Sequence, residues 1–298
     1  METRRRIAIL GVTGFIGSGL PKLLAADGWA CTGVSRSGGG DVEAVDRWVT
    51  PSDFDPAGHE AVINLAGAPI DRRWTKKNVR IFRESRVGVT DKLVHKIRDL
   101  PAADRPKVLI NGSAIGFYGD RGDSVLEEHD HPGHGPLADL CRDWEAAALA
   151  GESLGMRVVV LRTGIVLGRD GGAFPKLRSI FRLGIGGRLG KGRQWMSWIH
   201  VDDHRRAILQ AVRSPGLSEA VNLSAPEPER NAAFTRELAS ALHRPAILPV
   251  PGIALKLALG GFGETLLHSQ RVVPAALKAD GFTFRFPTLE SALADLTF

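Results

Sequence analysis

Apolar positions along the first half of the chain follow two alternating patterns. Short, nearly continuous runs rich in Val, Ile and Ala occur at RIAILGV (6–12), ACTGVSR (30–36), AVINLAG (61–67), KVLINGSA (107–114) and RVVVLRTG (157–164). Between them, stretches such as 75–99 and 137–154 space their apolar residues at three and four positions. A short run that is apolar throughout reads as a strand buried on both faces, and strands alternating with helices predict βαβ units. The expected architecture is therefore α/β, a doubly wound parallel sheet.

The rhythm breaks after Gly168. GRDGGAFPKL and then RLGIGGRLGKGRQWMSWIHVDD are Gly-rich and basic, and read as an excursion from the sheet over about 170–200. From Pro226 the pattern turns helical, with 231–243 a clear case. These shifts predict one domain over 1–225 and a smaller, mainly helical C-terminal lobe over 226–298. Ligands of open α/β sheets bind outside the carboxyl ends of the strands, so such a lobe is placed to cap a substrate.

Composition changes this picture little. Apolar residues make up 43% and charged residues 24% of 298, an ordinary globular balance, and no run approaches the length of a membrane span. The basic start METRRRIAIL precedes an apolar run too short for a secretory leader, so a cytoplasmic protein is expected. Cys31 and Cys141 offer neither a disulfide framework nor metal spacing, and HDHPGHG (129–135) reads as a solvated loop, so no metal is expected. The net charge of +6 is spread along the chain without interleaved aromatics, which favours an anionic small molecule over nucleic acid. No membrane partner is expected either, and the chain reads as a monomer or homodimer.

The first strand runs straight into GVTGFIG, with Gly11, Gly14 and Gly17 opening a helix that extends to about Asp27. Glycines at such a strand–turn–helix junction let backbone amides approach a pyrophosphate at the positive helix N-terminus. A glycine-rich turn without ligand is the plain alternative. The second strand ends in Ser35, Arg36 and Ser37, with no carboxylate before Asp41. An acidic residue there would hold a ribose 2′-hydroxyl, whereas Arg36 suits a 2′-phosphate, so NADP(H) is expected over NAD(H).

TGFIG, NLAG (64–67), SAIGFYG (113–119), LRTGIVLG (161–168) and WIHVDD (198–203) occur in an order and spacing that resemble an extended short-chain dehydrogenase/reductase of the NAD-dependent epimerase/dehydratase type. NLAGAPIDRRWTKK, SRVGVT, CRDWEAAA, GKGRQWMSWIHVDD and the tail SQRVVPAALKADGFTFRFPTLESAL narrow this to its atypical "epimerase family" branch with a C-terminal DUF1731-type domain. The resemblance spans essentially the whole chain and implies a Rossmann-type fold. It implies that Gly11, Thr13, Gly14, Phe15, Ile16 and Gly17 cradle the pyrophosphate and that Ser35 and Arg36 read the adenosine ribose phosphate. Leu65, Ala66 and Gly67 would pass the adenine and ribose; Ser113, Arg162, Gly164 and Ile165 would border the nicotinamide half. His200 and Asp202 are expected to be structural.

The chain departs from the family's chemistry on one helix. Typical members carry Tyr-x-x-x-Lys there, the tyrosine moving a proton and the lysine lowering its pKa. Here Cys141 stands at the tyrosine position and Glu145 at the lysine position, leaving Glu145 to accept from a ribose hydroxyl. The catalytic residue is thus unassigned, with Ser113, Tyr118 (the only tyrosine) and Cys141 as candidates. Tyr118 falls in the turn after the strand, about two dozen residues before that helix, and reads as cleft-lining or turn-packing. Lys191, Arg193, Gln194, Trp195 and Trp198 are the expected substrate contacts, suited to a planar or anionic ligand, or else they form a packing hairpin. Arg72, Arg73, Trp74, Ser85 and Arg86 form a second basic, aromatic cluster, where Arg86 either meets a ligand or pairs with carboxylates. Two functions follow: an NADP(H)-dependent oxidoreductase or epimerase acting on an unidentified small substrate, or a catalytically silent NADP(H)-binding sensor.

Overall fold

The computed structural model describes residues 4–246 and 248–297. Seven strands form its central sheet: β1 (Arg5–Leu10), β2 (Trp29–Val34), β3 (Arg47–Val49), β4 (Ala61–Asn64), β5 (Val108–Ala114), β6 (Arg157–Thr163) and β7 (Glu219–Leu223). They lie in the order 3-2-1-4-5-6-7, every neighbouring pair parallel. The order reverses between β1 and β4, which opens a crevice at their carboxyl ends.

Side chains alternate across this sheet. Ile7, Ile9, Ile110, Val159 and Leu161 pack on one side with α1 (Leu20–Ala26) and, later in the chain, α6 (Val201–Arg213). Ala8, Leu10, Leu109, Val158 and Val160 face the other way, against α3 (Val89–Arg98) and α4 (Pro136–Leu149). Each strand therefore needs apolar residues at successive positions, which is why the five central strands read as continuous runs. β3 and β7, short or half-polar edge strands, lack that signature.

The stretch 75–99 contains two helices, α2 (Lys76–Arg83) and α3, joined by one π turn at Glu84–Gly88. Ser85 supports the turn: its hydroxyl donates to Phe82 O at 3.1 Å and accepts from Ala68 N at 3.0 Å. The excursion after β6 carries α5 (Phe174–Arg182), and a three-stranded sheet joins Ile165–Gly168, Gly171–Gly172 and Trp198–His200. α7 (Asn231–Ala241), α8 (Gly252–Leu259), α9 (Gly261–Thr265), α10 (Ala275–Ala279) and α11 (Leu289–Thr297) complete the chain. Phe174, Phe181, Trp198, Phe234, Leu238, Leu289 and Leu293 form a separate apolar core where α5, α7 and α11 meet. Asp203, fully buried, fastens the tail by accepting from Arg285 N at 2.9 Å and Phe286 N at 2.8 Å.

Candidate functional site

The β1–α1 turn is built for close approach. Gly11 has φ +80°, and a Cβ on it would lie 2.9 Å from the Leu65 carbonyl carbon; one on Gly17 would lie 2.3 Å from Gly11 O. Gly14 N donates to Gly11 O at 2.9 Å and closes the turn. The carbonyls of Phe15 and Ile16 point to Arg205 of α6, which donates to them at 2.6 and 3.1 Å. A planar trans peptide sends its N–H opposite to its C=O. The amides that follow these carbonyls, Ile16 N and Gly17 N, therefore face away from Arg205. Among the described residues no backbone acceptor meets Phe15 N or Ile16 N. Free amides on a glycine turn are what a pyrophosphate requires.

At the end of β2, Arg36 is exposed and in no ion pair among the described residues. Ser35 is committed elsewhere: its hydroxyl donates to Gly39 O at 2.7 Å and accepts from Gly39 N at 3.1 Å, closing the 35–39 loop. That leaves Arg36 as the group free for a phosphate.

Beyond the turn, an apolar cavity of about 280 Å³ opens at the ends of β4, β5 and β6. Leu65, Gly112, Ser113, Ala114, Thr163 and Gly164 come from strand ends, with Ile16 from the glycine turn. Arg86, Leu140, Cys141, Trp144, His204 and Phe262 come from helices, and Trp74 from the loop before α2. Arg86 projects from the π turn, its guanidinium 5.3 Å from the Trp144 ring centre and without a carboxylate within 4.0 Å among the described residues. Burial pushes its pKa down. It is the only side chain in the lining that carries a fixed charge. Gly67 lies against it, a Cβ there falling 3.2 Å from Arg86 Cζ. A polar network of Asn64, Thr90, Asn111 and Trp144 secures the floor, with Asn64 Nδ2 donating to Asn111 Oδ1 at 2.7 Å and Trp144 Nε1 to Thr90 Oγ1 at 3.0 Å.

The candidate proton donors separate clearly. Ser113 faces the cavity, and its hydroxyl donates to Glu145 Oε1 at 2.6 Å. Cys141 also lines the cavity, but burial and then the neighbouring Glu145 push its thiol up to about 12, so it is a poor acid near neutrality. Tyr118 is fully buried and absent from the lining. Its hydroxyl lies 2.7 Å from Asn222 Oδ1 and 3.0 Å from Glu127 O, and accepts from Arg162 Nη1 at 3.0 Å. Burial outweighs Arg162 and pushes Tyr118 up to about 12. The sole tyrosine thus leaves the set of proton donors: it is a buried tie between the β5 turn and β7.

Three further expectations are corrected. Glu145 is buried and absent from the lining, so a ribose would not reach it; Arg162 donates to Oε1 at 3.0 Å and Oε2 at 2.9 Å, and Ser113 donates to Oε1 as well. Arg162, buried in this pair and stacked 3.5 Å from the Phe117 ring centre, does not border the cavity. None of the five expected substrate contacts lines it either. Trp198 is fully buried in the lobe core, Gln194 bonds Leu189 O at 3.3 Å, and Lys191 and Arg193 are exposed. Trp195 is sandwiched between Arg230 and Arg271, each 4.5 Å from its ring centre, and donates to Asp123 at 3.0 Å. The GKGRQW segment is a packing hairpin. Sequence reading missed His204 and Phe262, which reach the cavity from α6 and α9.

A parallel sheet with an open glycine turn beside an apolar cavity at the strand ends defines a Rossmann-type nucleotide-binding protein. The chain belongs to the NAD dependent epimerase/dehydratase family, which matches residues 7–224, and carries a DUF1731 domain of unknown function over 250–296. The epimerase family protein Mb2239 of Mycobacterium bovis is 40% identical over 296 residues, covering 98% of this chain and 97% of its own. A chloroplastic SDR39U1 homologue of Arabidopsis thaliana is 37% identical over 306 residues, covering 98% of this chain and 86% of its own. The crystal structure of human epimerase family protein SDR39U1 (isoform 2) with NADPH superimposes with TM-score 0.88 at 30% identity, covering 98% of this chain and 99% of that one. MoeE5 in complex with UDP-glucuronic acid and NAD, at 21% identity and TM-score 0.76, shares the fold.

Proposed function

We propose that this protein is an NADP(H)-dependent oxidoreductase or epimerase-like enzyme whose substrate is a small, largely apolar molecule held in the 280 Å³ cavity. The observation that carries this reading is the continuity of the cavity with the glycine turn, since Ile16 belongs to both and Leu65 lines the cavity while packing against Gly11. The pyrophosphate would sit on the amides of Phe15 and Ile16, with Gly11 and Gly17 clearing its path and Thr13 and Gly14 completing the turn. Arg36 would take the 2′-phosphate, which favours NADP(H) over NAD(H), and the human relative crystallised with NADPH supports the same preference. Ala66 and Gly67 would flank the adenosine half, and Gly164 and Ile165 the nicotinamide half. The second lobe, 226–298 with the 170–200 excursion, would cap the cavity.

When bound, the cofactor supplies a hydride acceptor or donor at its nicotinamide ring. Among the described side chains, the proton route that reaches the cavity is Ser113 Oγ, backed by the Glu145 carboxylate at 2.6 Å. With its hydrogen donated to Glu145, Ser113 Oγ turns its lone pairs to the cavity and would accept a hydrogen bond from a substrate hydroxyl, rather than delivering a proton as a tyrosine would. Arg86 complements a negative charge on the bound ligand, cofactor or substrate.

Fluorescence titration with NADPH and NADH tests the reading. The wild type should bind NADPH more tightly, and Arg36→Ala should bring the two affinities within about threefold of each other by removing a charged contact to phosphate. Absence of binding to either dinucleotide overturns it. The silent-sensor reading rests on Tyr118 and Cys141, both held near 12. It would be supported by tight NADPH binding with no turnover across a broad panel of apolar alcohols and carbonyl compounds.

A further inference from the structure

Eight large hydrophobic side chains are exposed among the described residues, and six of them gather in two segments: Ile180, Leu183 and Ile185 at and just beyond the end of α5, and Leu248, Ile253 and Leu257 around α8. The two segments are neighbours, because Gly190 N donates to Val250 O and Val250 N to Arg188 O, each at 2.8 Å. α8 is the extreme case. Of its eight residues only Leu255 is buried, while Ile253 at 75% and Leu257 at 70% exposure stand four positions apart on one face. An apolar helix resting on a surface by one side chain leaves its remaining apolar face for something other than water.

Charge says what covers it. No Asp or Glu occurs from Gly171 to His200, nor from Leu238 to Gly263, while Lys176, Arg178, Arg182, Arg188, Arg244 and Lys256 all do. Lys176 pairs with Asp71 and Lys256 with Glu264, whereas Arg182, Arg188 and Arg244 have no carboxylate partner among the described residues. We propose that this edge is an interfacial docking surface for an anionic lipid bilayer, with Ile253, Leu257, Leu248, Leu183 and Ile185 entering the acyl boundary and the arginines meeting lipid phosphates. Exposed aliphatics beside arginines that no carboxylate neutralises have this composition. A second copy of the chain in a twofold pairing would set these like charges against each other. A nucleic acid would match the charge but offers the aliphatic groups no apolar cover. No described helix is long and apolar enough to cross a membrane, so the element lies on the bilayer rather than in it. The expectation of no membrane partner rested on hydropathy along the chain, which reports spanning segments only. Behind the surface, Phe262 of the adjoining α9 lines the apolar cavity, which puts docking element and cavity in one hairpin.

Co-sedimentation of the full chain with vesicles tests this, using phosphatidylglycerol mixed equally with phosphatidylcholine against phosphatidylcholine alone. The wild type should sediment with the anionic vesicles, less so as salt rises, and at least ~10-fold less with the neutral ones. Ile253→Asp/Leu257→Asp, on exposed positions the fold does not need, should reduce partition ~10-fold or more, and each of Arg182→Gln and Arg188→Gln about fivefold. Circular dichroism and NADPH binding report whether each variant is folded. Failure of the wild type to bind anionic vesicles overturns the proposal, as does binding that the aspartate pair leaves unchanged. Self-association in solution abolished by that pair would assign the face to a second copy and equally overturn it. None of these outcomes depends on cofactor turnover.

Discussion

Tyr118 and Arg205 show at residue scale how position outranks residue type. A lone tyrosine in a reductase-like chain invites a catalytic role, yet Tyr118 spends its hydroxyl on Asn222, Glu127 and Arg162 inside the core. Tyr118→Phe should leave any turnover within about twofold of wild type and lower stability by ~1 kcal/mol, because Asn222 and Arg162 each lose a partner. Turnover reduced a hundredfold with the fold intact would return Tyr118 to the chemistry. Arg205 is the converse case, ordinary in sequence and placed at the cofactor turn. Its hydrogen bonds to Phe15 O and Ile16 O hold two carbonyls away from the presumed pyrophosphate site. Gly19 makes room for it: a Cβ there would fall 2.3 Å from Arg205 Cζ. Arg205→Met and Gly19→Ala should each weaken NADPH and NADH about equally, by ~10-fold, since both carry the pyrophosphate. The double variant should cost no more than either single one. Additive losses, or a loss confined to NADPH, would show that the two residues do not act together on the turn.

At the scale of elements, legibility followed burial and locality. The five strands in the middle of the sheet could be read because each is apolar on both faces. β3, a three-residue edge strand, and β7, which begins Glu219-Ala220, carry too little of that pattern. The glycine turn was legible because its chemistry is contiguous in sequence. The cavity was not, because Trp74, Arg86, Trp144, His204 and Phe262 lie on α4, α6, α9, the π turn and the approach to α2, and only the tertiary fold brings them together. Helix α4 illustrates the limit. Cys141 and Glu145 stand one turn apart on this helix, as the sequence spacing implies, but Glu145's partner, Arg162, comes from β6. A buried carboxylate held by a bidentate guanidinium leaves little for a ribose, and removing either member of such a pair typically costs 3–5 kcal/mol. Glu145 is thus bound into the fold before it is available to a ligand, except through Ser113. The GKGRQW hairpin admitted both a ligand-contact and a packing reading for the same reason: two tryptophans and two cations suit a ligand, and equally suit Asp123, Arg230 and Arg271.

The whole molecule joins a sheet to a second apolar core through α6, and its buried histidines give that junction a pH dependence. His204, fully buried on α6, bonds Thr163 Oγ1 at 3.1 Å, while its Nδ1 has no partner among the described residues. Burial, reinforced by Arg205, pushes its pKa down to about 3. His59 and His200 are also lowered, both chiefly by burial. In the unfolded chain each titrates near 6.5. Between that value and about 3 the unfolded state therefore holds a proton that His204 in the folded state refuses, so stability falls as pH falls through this window. Each such group contributes a slope of up to ~1.4 kcal/mol per pH unit once the unfolded histidine is protonated. Glu128, Glu229 and Glu237 act in the opposite sense, since burial raises them and favours the folded state as they protonate. Comparison with a variant isolates the histidine from these carboxylates. Urea unfolding of the wild type and of His204→Leu at pH 7 and pH 5 should show the variant losing less stability on acidification, by about 1–2 kcal/mol. Equal losses in the two proteins would mean that His204 accepts a proton in the folded state and that the junction opens to water at low pH.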